Sequence, residues 1–252
     1  MKNALRAFFE ANKRISIGLE RYLPHARPNP FDAYTEIVAD LIGRKDGQVI
    51  VDVGGGRSCT FAHVRPPGST SRIVAVDVSS EQLALNNDVD EKRVADVVKE
   101  LPFEPAEVDA IVSSSVLEHL DDVEAFVANS RRALKPGGYW VHVFPSKFAP
   151  FSIANQLLPS TLGRRVLLAL MPETEGKCGF RAYYDRCYYS ACTALLRRHG
   201  FEVTDVRVGY FQSWYLSFFL PAFLLSAAYE LALYKLGARN LAAYLVVVAR
   251  KK

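Results

Sequence analysis

Between Val49 and Phe144 short β-branched apolar runs alternate with segments of helical period, and few folds accommodate that alternation. Val49–Val53, Arg72–Val76, Arg93–Ala95, Val108–Ser113 and Tyr139–Phe144 read as strands. Thr60–Val64, Glu81–Asn86 and Val123–Leu134 read as helices between them. Strands joined by helical crossovers at this spacing run parallel, with right-handed connections. The run Val-Ile-Val-Asp-Val suits a strand covered on both faces. The expected architecture is therefore a doubly wound α/β sheet.

The flanks extend this unit. Helices are expected at about Ala4–Tyr22 and Phe31–Ile42, separated by the Pro24–Pro30 breaker. Asp185 is expected to cap a helix that ends in Arg197-Arg198-His199-Gly200. Phe201–Val208 and Tyr244–Arg250 read as two further strands around an apolar helical insert at 212–240. A chain of 252 residues, half of them apolar, is long enough for one sizeable core. It divides into N-terminal helices (1–47), a cofactor-binding core (48–144), a substrate and lid region (145–200) and a terminal strand pair carrying the insert (201–252), all in one domain.

Charge is unevenly spread. Residues 1–30 carry six Lys/Arg against two Glu, residues 209–252 five against one, and the middle is acidic. Nucleic-acid binding wants a continuous basic face with stacking aromatics, which this pattern lacks. An anionic membrane surface suits basic ends better, and scattered solvated charge is the plain alternative. Cys59, Cys178, Cys187 and Cys192 form no C-x-x-C pair and have no zinc spacing, so a reduced, cytoplasmic setting is expected. Lys2, Arg6, Lys13 and Arg14 interrupt the first apolar stretch too often for a secretory signal.

The chemistry concentrates at strand ends. Val51-Asp52-Val53-Gly54-Gly55-Gly56 closes the first strand, where glycines let a ligand approach the backbone. Asp77, 25 residues after Asp52, ends the second strand, where a carboxylate accepts both hydroxyls of a ribose. Asp96 ends the third, where it can accept from an adenine amino group. Three carboxylates at the ends of consecutive strands line one crevice at the switch point and make a nucleoside site.

These segments resemble the class I S-adenosylmethionine-dependent methyltransferases from about Val49 to Arg250. Val-Ile-Val-Asp-Val-Gly-Gly-Gly is similar to their first motif, and Val-Ala-Val-Asp-Val (Val74–Val78) to their ribose-binding strand. Arg-Val-Ala-Asp-Val (Arg93–Val97) is similar to their adenine-binding segment. Val-Leu-Glu-His-Leu after the fourth strand and Ala-Leu-Lys-Pro-Gly-Gly-Tyr-Trp-Val before the fifth continue the likeness. The resemblance implies a Rossmann-like seven-stranded sheet with an antiparallel last strand. It implies S-adenosylmethionine as cofactor, met by Asp52 and Gly54, Gly55 and Gly56 at its amino-acid portion. Asp77 and Val78 would meet the ribose, Asp96 and Val97 the adenine, and Ser113 and Ser114 the methionine end. Ser58 stands where many members have the last glycine of the first motif.

A nicotinamide-dependent oxidoreductase would need glycine at 59, where Cys59 stands. A cofactor-binding protein without catalysis is the other rival. Methyl transfer from a sulfonium depends mainly on holding the acceptor in line, and a hydroxyl acceptor also profits from a base. His119 is the candidate, unless Glu118 and His119 merely open the following helix. Quinone-type relatives that bind a metal use a further upstream Glu; Ser115 occupies that position, so no metal is expected.

The acceptor, a small molecule, glycan or lipid-linked compound, is expected near Phe180, Tyr183, Tyr184, Tyr188 and Tyr189, under a lid at Glu173–Gly179. Val208–Tyr229 has no charged residue, yet the strands flanking the insert pair in one sheet, so the chain must return on the side it left. A single membrane span is excluded on that ground. The insert either covers an apolar acceptor pocket or lies in a membrane interface with Trp214, Tyr215, Phe218 and Phe219 as anchors.

Overall fold

The computed structural model describes residues 2–157 and 181–252. Seven strands form one sheet: β1 Val49–Val53, β2 Arg72–Asp77, β3 Glu91–Val94, β4 Val108–Ser114, β5 Leu134–Pro145, β6 Phe201–Gly209 and β7 Tyr244–Lys251. Their order is β3-β2-β1-β4-β5-β7-β6. β7 alone runs against the direction of the other six, as the resemblance implied. The order reverses between β1 and β4, which opens a crevice at their carboxyl ends.

Among the described residues the helices are α1 Lys2–Glu20, α2 Pro30–Gly43, α3 Ser80–Ala84, α4 Val123–Ala133, α5 Pro150–Leu157, α6 Tyr189–Arg198 and α7 Leu220–Leu236. Asn29 caps α2 by accepting from Phe31 N at 2.9 Å, with Pro30 at the first helical position. The apolar side of α2 (Tyr34, Val38, Leu41, Ile42) covers one sheet face with Phe61. The other face packs on α4 and α6 through Phe126, Val127, Leu195 and Leu196. β1 is buried along its whole length, which is why its run is uninterrupted by polar residues except Asp52.

Several expectations need correction. Thr60–Val64 is no crossover helix: only a 3-10 turn forms, Ala62–Val64. Pro66 holds Arg65 extended, at φ −65° and ψ 124°, so the turn cannot propagate. Asp185 does not cap α6, which starts at Tyr189 without a side-chain cap. Its carboxylate instead accepts from Val123 N at 3.1 Å, tying this segment to the start of α4. β5 begins at Leu134, so the Lys-Pro-Gly-Gly corner lies inside the strand as an irregularity in its pairing with β4. β3 starts two residues earlier than expected and ends at Val94, leaving Asp96 just past it.

Candidate active site

The site starts at the turn after β1. Gly54 has φ +70°, and a Cβ there would sit 2.3 Å from Val116 Cγ2. A Cβ on Gly55 would come within 2.7 Å of Ala75 Cβ. Neither position tolerates a side chain. Gly56 is different: it has φ +36° and no atom closer than 3.7 Å to its Cβ position. In place of a crossover helix, side chains hold this turn. Asn86, fully buried, donates to Gly55 O at 2.7 Å, and Asp88 accepts from Cys59 N at 3.0 Å. The sequence pattern gives Asn86 only as the end of the Glu81–Asn86 helix and assigns Asp88 no role.

Asp77 lies directly beside the glycines. Its Oδ2 accepts from Gly56 N at 3.0 Å and its Oδ1 from Ser79 N at 2.9 Å, so both oxygens are oriented by backbone. It remains half-exposed, with lone pairs left for further donors. Val78 next to it is 57 % exposed. Asp96 is half-exposed, with Oδ1 accepting from Val98 N at 3.2 Å and Oδ2 3.4 Å from Lys99 Nζ.

Asp52, by contrast, is buried. Burial pushes its carboxyl up to about 7, the Cys59 thiol hydrogen-bonds it and lowers it, and the Asp77 charge raises it.

Not every candidate faces the crevice. Ser113 is buried, and its Oγ lies 2.5 Å from His142 Nδ1 on the neighbouring strand. The pair packs among Phe126 and Trp140 on the α4 side, so the Ser113 side chain belongs to the core. Burial lowers the His142 pKa well below its ordinary value. The Val97 side chain is core as well, which leaves only its backbone for a ligand. Ser114 is half-buried at the end of β4.

After β4, Ser115 turns the chain with φ +57°, and a 3-10 turn spans Leu117–His119. His119 is thus not in the first turn of a helix. Its Nδ1–H donates to Arg181 O at 3.0 Å, and burial lowers its pKa. Glu118 is the buried member of this turn. Its carbonyl accepts from Tyr183 N at 2.7 Å and Tyr184 N at 3.1 Å. Its Oε2 has no partner among the described residues, and burial pushes the carboxyl up to about 8.

The expected aromatic cluster is dispersed. Tyr184 is buried, Tyr183 stacks under Arg181, Tyr188 packs on Phe148 and Tyr189 lies against Arg239. Phe180, Cys178 and the Glu173–Gly179 lid lie outside the described residues. No group of three His, Cys, Asp or Glu that could hold a metal ion occurs among the described residues.

A methyltransferase-domain family matches residues 51–142, the stretch from β1 into β5. The ubiquinone biosynthesis O-methyltransferase of Xylella fastidiosa strain 9a5c is 25% identical over 202 residues, 76% of this chain and 77% of that protein. Among solved structures, the [4+2]-cyclase SpnF superposes with a TM-score of 0.57 at 20% identity, over 87% of this chain and 81% of that one. Geranyl diphosphate C-methyltransferase from Streptomyces coelicolor A3(2) gives 0.55 at 16% identity, over 88% and 76%. These structural likenesses speak to the fold. With the glycine turn, the oriented Asp77 and the sequence matches across the same strands, residues 51–142 carry a methyltransferase domain of the S-adenosylmethionine-dependent kind.

Proposed function

We propose that the crevice at the ends of β1, β2 and β3 binds S-adenosylmethionine and that the enzyme methylates a small, largely apolar acceptor. Asp77 carries the reading: its carboxylate is held by Gly56 N and Ser79 N with capacity left for the two ribose hydroxyls. Gly54, Gly55 and Gly56, with Asp52 behind them, would meet the amino-acid portion. Val78 offers an exposed apolar face to the adenine, and Asp96 and the Val97 backbone its polar edge. Ser114, rather than the Ser113 side chain, would lie toward the methionine end. When bound, the cofactor supplies an activated methyl group; the chain's own residues orient both partners and exclude water. The 145–200 region and the 212–240 insert would complete the acceptor side of the single domain.

Asp77→Ala tests this. Losing hydrogen bonds to a carboxylate should cost about 1.5–3 kcal/mol, roughly a 10- to 100-fold weaker affinity for S-adenosylhomocysteine, with the fold intact by circular dichroism. Unchanged affinity would remove Asp77 from the site.

A second observation favours work at a membrane surface. α1 buries its polar Asn12 and Ser16 while Phe8, Phe9, Ile15 and Ile17 stay exposed. α7 likewise buries Glu230 and exposes Leu224, Leu225 and Leu236. The two helices meet through Leu220 N, which donates to Asn12 Oδ1 at 2.9 Å, and through the Phe9 and Phe218 rings. Exposed Arg6, Lys13, Arg14, Arg21 and Lys235 accompany them. Apolar residues outward with basic neighbours suit a peripheral contact with an anionic leaflet of the cytoplasmic side. No described helix is long and apolar enough to cross a membrane. An acceptor drawn from that surface would be lipid-linked or otherwise apolar.

A further inference from the structure

We propose that Glu118 takes the proton of the acceptor, and that the acceptor is an uncharged, flat apolar molecule bearing a hydroxyl, held beyond the ends of β4, β5 and β6. The inference rests on the donor site assigned above. Its own ground is a set of buried polar atoms that have no partner among the described residues: Glu118 Oε2, Ser146 Oγ and both amide atoms of Gln212. Native chains rarely leave such atoms unmet, and a polar ligand is what completes them.

All three residues lie at one edge of the sheet. Glu118 follows β4, Ser146 follows β5 and Gln212 follows β6. Ser146 N donates to Ala243 O at 2.8 Å and Ala243 N to Gly209 O at 2.8 Å, which laces the last two of these strand ends to the start of β7. Flat rings accompany them. Tyr244, the first residue of β7, has its hydroxyl 2.8 Å from Tyr215 OH, and Phe151 stacks on the Tyr244 ring at 5.4 Å. Tyr184, buried, accepts from Asn155 Nδ2 at 3.3 Å. None of these side chains is cationic, which suits an uncharged acceptor better than a phosphorylated one. The donor side is adjacent: Gly54 packs against Val116, two residues before Glu118.

In the reaction, the acceptor oxygen forms a bond to the methyl carbon and the sulfur–methyl bond breaks with its pair left on sulfur. The hydroxyl proton passes to the Glu118 carboxylate and then to solvent. Positive charge on sulfur and negative charge on Glu118 disappear together. Burial gives this carboxyl the proton affinity for the task. The groups facing it are His119, whose Nε2 lies 3.9 Å from Glu118 Oε1, and Tyr184, Cys187 and Tyr244, with Lys147 beyond Cys187. His119, with a third of its side chain exposed, sits at the rim.

The probe is 2-naphthol, whose ultraviolet spectrum reports loss of its proton, added to the full chain with S-adenosylhomocysteine at about pH 8.5, above the ionisation of the Glu118 carboxyl and below that of the free probe. The wild type should bind it with a shift toward the ionised spectrum. Glu118→Gln should keep its S-adenosylhomocysteine affinity within about twofold and lose the shift. With S-adenosylmethionine, its methylation of the probe should fall about 10²–10⁴-fold and lose the rise with pH near 8. Tyr244→Phe and Gln212→Ala should weaken the probe while sparing the donor. A Glu118→Gln variant that still ionises the probe, or a larger loss in His119→Ala, overturns the assignment. So does a wild type that binds S-adenosylhomocysteine and ignores the probe. Failure to bind S-adenosylhomocysteine at all would instead strike the donor reading.

Discussion

Asp52 and Asp77 end neighbouring strands, yet the chain treats their carboxylates oppositely. Asp77 is half-exposed and oriented by two backbone N–H groups, whereas Asp52 is buried against Cys59 with its carboxyl pushed up to about 7. Glu118, buried with one oxygen unmet among the described residues, is pushed up to about 8. Both raised groups make stability depend on pH in the same direction. Below about pH 4 they are protonated in folded and unfolded chains alike, and neither costs anything. As pH rises the unfolded chain releases these protons first, so stability is lost progressively until the folded carboxyls ionise at about 7 and about 8. Each pH unit in that window costs about 1.4 kcal/mol per group. Asp109 acts the other way: burial would raise it, but Lys135 and Lys45 hold it below its ordinary value, so its contribution is lost only in acid. Urea midpoints should therefore fall from pH 5 to pH 9, and Glu118→Gln should flatten the decline. An equally steep decline in that variant would mean that Glu118 is ionised throughout.

At the scale of elements, the strands were legible because a strand buried on both faces must be apolar throughout. β1 is found at Val49–Val53, as expected from its unbroken run. The donor carboxylates were legible for a related reason: Asp52 and Asp77 each interrupt or end such a run. Residues that act through tertiary contacts were not. Asn86 reaches Gly55 across 31 positions, and Asp185 serves α4 rather than the helix it precedes. Glu118 was hidden because its burial comes from Tyr184 and the segment around it, remote in sequence. α7 shows the limit most clearly. Ser226, Glu230 and Tyr234 form a polar stripe at helical spacing, which does not by itself tell which way it faces, and Glu230 is fully buried. Its carboxylate is met by Ser226 Oγ at 2.7 Å, Ser213 Oγ at 3.1 Å and His25 Nε2 at 3.2 Å, fastening the insert to the N-terminal segment. Glu230→Ala would leave these donors buried and unmet, at about 1–3 kcal/mol each. We expect a loss of about 3 kcal/mol or more in urea denaturation, with faster proteolysis of the insert. A loss below about 1 kcal/mol would mean that the cluster does not hold α7.

At the scale of the molecule, one edge of the sheet gathers the chemistry, while α1 and α7 present apolar residues outward. If that face meets anionic lipid, each nearby Lys or Arg adds about 1 kcal/mol, and salt screens the attraction. The protein should co-sediment with phosphatidylserine vesicles at low salt and leave them at high salt, with neutral vesicles retaining less. Protein wholly in the supernatant with both vesicle types would return these helices to the role of pocket cover. The donor crevice governs everything else, since the acceptor, the base and the membrane face matter only if the methyl donor binds there. Calorimetric titration of the wild-type chain with S-adenosylhomocysteine tests this most directly. The account predicts one site per chain with a micromolar dissociation constant, on the order of −8 kcal/mol, and no heat of binding from NADH. Tight NADH binding with no response to S-adenosylhomocysteine would contradict it.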